Sequence, residues 1–185
     1  DLQTSSGTFA RARGRLTYTY DIECTNARGQ VIDPCDARTQ RAEISVRIVG
    51  NFATARRTGS VARTGRWTLV RDGATVTIDG RFRVDRSSTF AALHRDETRS
   101  YVMTASGRAI GVELDLGSKQ FVAGTLRYQL SADRTRSTRF DEIVASFDVD
   151  AEVELTPEGP LVIRLDKERT YTSTRDGRRV DRSAE

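Results

Sequence analysis

Apolar residues recur at every second position along most of this chain. "LTYTYDIEC" sets Leu16, Tyr18, Tyr20, Ile22 and Cys24 in one phase and Thr17, Thr19, Asp21 and Glu23 in the other. The same alternation carries Ala42, Ile44, Val46 and Ile48, then Val76, Ile78, Phe82 and Val84. It returns in Ile110, Val112, Leu114 and Leu116, and again from Ile143 to Leu155. Successive side chains on a strand point to opposite faces, so period two marks strands with one dry and one wet face. No helical stripe competes with it. Only "STFAALHRDET" reads as a short helix.

Turn signals separate these runs. Asp72-Gly73 suits a type I′ hairpin, which would pair Leu69 with Val76 and Trp67 with Ile78. "ASGRA", "DLGSKQF" and "LTPEGPLV" mark three more tight connections. The last would pair Val153 with Ile163 and Ala151 with Leu165. Consecutive hairpins imply an all-β, antiparallel up-and-down meander of about 8–10 strands. A sheet that long must bury its dry face by closing into a barrel or curling into a half-open one; a two-sheet β-sandwich is the alternative. In outline the pattern resembles lipocalin-like barrels, a resemblance of fold that no motif extends. Residues 1–174 are expected to form one domain, and 175–185 a frayed polar tail.

Charge and cysteine content narrow the setting. The chain carries a net charge of +4. Lys119 and Lys167 are its only lysines, so arginine supplies the remaining basic residues. Residues 51–66 contain no acid but hold Arg56, Arg57, Arg63 and Arg66, which makes them the expected anion-facing surface. Cys24 and Cys35 are the only cysteines and His94 the only histidine. There is no C-x-x-C pair, and a structural zinc needs about four ligands, so a disulfide closing the loop between them is the expectation. A disulfide implies an oxidising compartment: periplasm, cell surface or medium. The chain opens on Asp1 rather than Met, as expected either of a processed mature protein that has lost an export signal or of a trimmed chain.

Candidate chemistry is sparse. No G-x-S-x-G elbow accompanies His94, which reads as a surface residue. Asp148, Asp150, Glu152 and Glu154 share one face of one strand, a column that Arg127 or Arg164 could neutralise. Same-face neighbours lie roughly 6.5–7 Å apart, too far for one ion to use the whole column. Neither a metal nor another cofactor is expected. Tyr18, Tyr20, Trp67, Phe82 and Tyr128 fall on the dry phase as core packing or as the lining of a ligand cavity. The leading expectation is an exported, non-enzymatic β-barrel binding an apolar or amphipathic small molecule such as a lipid, with an anionic head met by the 51–66 arginines. A structural or interaction module of the cell envelope is the alternative. A small outer-membrane barrel, with its apolar face toward lipid, is a third. A membrane surface is a plausible partner; nucleic acid is disfavoured, because no aromatics interleave with the basic segment.

The cysteine reading makes a direct prediction. Neither thiol should alkylate until a reductant is added, and reduction should cost about 3 kcal/mol of stability for so short a ring, measured by urea unfolding with and without reductant.

Overall fold

The computed structural model describes residues 6–11, 16–92, 97–157, 159–174 and 180–182. Every regular element there is a strand: β1 (Ser6–Arg11), β2 (Leu16–Thr25), β3 (Val31–Ile32), β4 (Arg41–Ala53), β5 (Arg57–Asp72), β6 (Thr75–Ala91), β7 (Glu97–Asp115), β8 (Gln120–Thr138), β9 (Glu142–Leu155), β10 (Leu161–Leu165), β11 (Arg169–Ser173) and β12 (Val180–Arg182). They form a single antiparallel sheet in the order β1-β2-β4-β5-β6-β7-β8-β9-β10-β11-β12, with β3 paired to β2. No strand leaves the sheet, so the sandwich alternative falls. Because β1 and β12 remain edges, the sheet is a half-open meander. The three residues of β12 pair with β11, inside the segment expected to fray.

Three local expectations are corrected. The β5–β6 turn is Gly73-Ala74, with Asp72 opposite Thr75 and Gly73 at φ 57°. Glycine first, at positive φ, is the pattern of a type II′ hairpin turn. Leu69 therefore faces Ile78, two residues beyond the expected Val76. A shift of two keeps every side chain on its face while changing its partner. "ASGRA" is not a turn but the middle of β7, where a Cβ on Gly107 would meet the Phe82 ring at 2.3 Å and Tyr128 at 3.1 Å. The expected helix is absent from the described residues: Ser88–Ala91 end β6, and Glu97 begins β7. His94 lies outside the described residues.

β7 carries one residue more than β6 across from Asp79, and the register slips between Ile78 and Gly80. Gly111 takes up the bulge at φ 53°, and its N–H donates to Asp79 Oδ1 at 2.9 Å. A bulge reverses the phase of the strand that carries it. Val112 and Leu114 are therefore dry on one side of Gly111 and Ala109 on the other, and Ile110 drops out of the dry series.

Very little of this sheet is deeply buried. Among the described residues the buried apolar side chains are Tyr20, Cys24, Ile32, Val112 and Leu155. The chain exposes 13283 Å², where a compact monomer of 20.6 kDa would expose about 8,900 Å². The dry face economises on packing by laying rings over glycines: Trp67 covers both Gly65 and Gly80, and Phe52 covers Gly59. At the lower end a disulfide joins Cys24 to Cys35, with Cα atoms 5.5 Å apart, and pins the 26–34 loop to the end of β2.

These rings leave no room for a side chain beneath them. Gly65→Ala places a methyl 2.1 Å from the Trp67 indole and should cost about 1–3 kcal/mol by urea denaturation. Gly117→Ala, whose nearest neighbour is 3.4 Å away, should leave the midpoint unchanged.

Candidate functional site

A hollow of about 1160 Å³ opens on the sheet. Its lining has a simple order once the register is applied. One row runs across neighbouring strands as Asp21, Ser45, Arg66, Arg81, Arg108, Arg127, Glu152 and Arg164. A second runs as Thr19, Arg47, Thr64, Arg83, Ser106, Gln129 and Asp150. Between them lies the row Tyr20, Val46, Gly65, Phe82, Gly107, Tyr128 and Ala151. Lys167 completes the lining.

The two outer rows share a face, and the middle row points to the opposite one. A hollow on the dry face would be walled by the next dry rows, such as Trp67 and Leu126 or Val84 and Leu130; none of these borders it. The hollow is therefore a trough on the wet face, running across the strands, with the middle row's backbone as its floor. Its walls stand about 6.5–7 Å apart along the strands.

The first wall is unusual. Arg66 sits opposite Arg81, Arg81 opposite Arg108, and Arg108 opposite Arg127. Like charges directly across strands repel. Only the last of the four is compensated, by Glu152 at 2.8 Å, which also takes Arg164 at 3.3 Å. Arg66, Arg81 and Arg108 have no ion-pair partner among the described residues. The second wall differs in chemistry: Arg83 is tied to Asp85 at 2.8 Å, leaving the hydroxyls of Thr64 and Ser106 and the amide of Gln129 along the trough.

The residues singled out from sequence are dispersed by the fold. Of the four expected arginines, only Arg66 enters the trough. Arg57 lies over the Phe52 ring at 5.3 Å and Arg63 over Phe82 at 5.8 Å. Arg56 sits in the β4–β5 turn, its carbonyl accepting from Ala91 N–H. Tyr20, Phe82 and Tyr128 border the trough through its floor, while Tyr18 and Trp67 do not. The acidic column is neutralised at one end as expected: Arg127 and Arg164 take Glu152, and Arg164 takes Glu154 at 3.0 Å. Among the described residues no three His, Cys, Asp or Glu side chains gather where one ion could be held. Sequence reasoning missed Arg81 and Arg108. Their signal was register: the expected hairpin pairing puts Arg66 opposite Asp79, a neutral pair, whereas the observed one puts it opposite Arg81.

A second charged cluster lies at the far end of the sheet. Glu97 is buried, its side chain 3% exposed, between Arg99 and Arg136. The hydrogen bond from Arg99 holds its carboxyl below the usual carboxylate range against the cost of desolvation, with Arg136 adding to the effect. This cluster is structural, since the charge it buries is already paired. No protein-family model, curated protein or solved structure matches this chain.

A lowered carboxyl stabilises the fold above the unfolded pKa and loses that contribution as pH falls through the folded one. Glu97→Gln should therefore unfold at lower urea concentration than the parent at pH 7, and the gap should close as the pH is taken from about 4.5 downward.

Proposed function

We propose that this chain is a non-enzymatic binding protein of an oxidising, extracytoplasmic compartment, with an anionic ligand held in the trough. One observation carries the reading: Arg66, Arg81, Arg108 and Arg127 stand side by side, and three of them have no counter-ion among the described residues. Such a row costs free energy in the empty protein, and an anion across it removes that cost. An amphipathic molecule, as expected from the sequence, would bring its charged head here. The compartment rests on the Cys24–Cys35 disulfide.

The alternative, a structural or interaction module of the envelope, draws support from the outer edge of β9. β10 pairs with it over residues 151–154, leaving 142–149 without a strand partner on that side among the described residues. Asp150 directs both its N–H and its C=O toward the β10 side, to Asp166. By alternation the backbone groups of Ser146 and Asp148 face the open edge.

Retention on a dextran sulfate column separates the two. The parent should bind and elute with rising salt. Arg81→Ser and Arg108→Ser should each elute markedly earlier, while Arg56→Ser, outside the trough, should shift far less. Equal shifts for all three would sink the trough as the binding site.

A further inference from the structure

The dimensions of the trough say more about the ligand than its sign. Resting on the anionic-ligand reading, we infer that the ligand is a linear acidic polysaccharide, lying across the strands with its carboxylates on the arginine wall and its hydroxyls on the other.

Three observations lead there. First, the arginines are strung out. Neighbouring strands are about 4.8 Å apart, so four arginines on four consecutive strands span about 14 Å. A single phosphate or carboxylate head reaches one or two of them and leaves the rest repelling. An extended chain with regularly spaced charges reaches all four. A uronate polymer offers one carboxylate per sugar ring, and a ring in such a chain is about as long as the strand spacing.

Second, the walls are unlike one another. Opposite the arginines stand Thr64, Ser106 and Gln129, on β5, β7 and β8. These side chains both donate and accept hydrogen bonds. That suits the hydroxyl-rich edge of a sugar chain, which uses both functions, whereas a polyphosphate uses only the donors.

Third, the trough offers no platform for bases or acyl chains. The rings that border it, Tyr20, Phe82 and Tyr128, belong to the floor row and point to the opposite face. Single-stranded nucleic acid binders stack their bases on aromatic side chains, and none projects into this groove. Beyond the four arginines the lining turns mixed in sign, with Ser45, Asp21 and Arg47 at one side and Glu152, Asp150, Arg164 and Lys167 at the other. The uncompensated positive charge is thus confined to the length of the row.

The test is isothermal titration of the full chain with oligogalacturonates from the dimer to the octamer, with linear polyphosphate and a single-stranded oligonucleotide as comparison polyanions. Affinity for the uronates should climb steeply up to about the tetramer, the length that fills the arginine row, and more slowly after it. Arg81→Ser and Arg108→Ser should each weaken octamer binding about tenfold. The triple variant Thr64→Val, Ser106→Ala, Gln129→Ala should weaken uronate binding by a similar factor and polyphosphate binding much less. That retained binding also shows that the variant is folded. If polyphosphate or the oligonucleotide binds more tightly than the octamer, or the triple variant binds uronate as the parent does, the polysaccharide is wrong and the anion site stands. If none of the polyanions binds, both readings fall together.

Discussion

The backbone ladder between neighbouring strands is the interaction on which this protein depends. Its substantial strand contacts are between sheet neighbours, and few side chains are fully buried. A compact domain fixes its strands partly by packing them against a second layer. Here the register of each strand against the next must do most of that work. The turns, the bulge opposite Asp79 and the rings over glycines all serve it. Each locks one strand pair at one offset, and the offsets accumulate across the sheet.

The functional geometry follows from the same source. A row of side chains perpendicular to the strands exists only if consecutive pairings hold together. Arg66, Arg81, Arg108 and Arg127 are separated by 15, 27 and 19 positions in the chain, and only three successive hairpin registers bring them into line. The trough is thus a property of pairing rather than of any single segment. That is why the acid-free stretch 51–66, the most basic by local count, supplies only one of the four: alternation sends Arg57 and Arg63 to the dry phase, onto Phe52 and Phe82.

The two charged systems show how context decides what an arginine does. Arg99 and Arg136 converge on the buried Glu97 and are spent on holding it ionised. Arg127 and Arg164 are spent on the acidic end of β9. Arg66, Arg81 and Arg108 stand beside other arginines along their row and have no ion-pair partner among the described residues. Arginine's fixed charge forbids relief by proton loss, so what remains is solvent, salt or an anion.

The sequence by itself determined the strands, their dry and wet faces, the meander and the disulfide. Each of these rests on local spacing: period two along a strand, glycine and aspartate in turns, two cysteines flanking one loop. It also located the β9–β10 register, in which Val153 faces Ile163 and Ala151 faces Leu165. Tertiary structure decided the rest. Moving the β5–β6 turn onto Gly73-Ala74 shifts that pairing by two residues, and apolar alternation is blind to a shift of two, since every dry residue stays dry. Yet that shift exchanges Asp79 for Arg81 opposite Arg66 and turns a neutral pair into the start of a charged row. The bulge at Gly111 is equally silent, because one extra residue reverses phase without altering composition. Which face is dry was therefore legible in the chain, and which charges stand together was settled only by how its strands align.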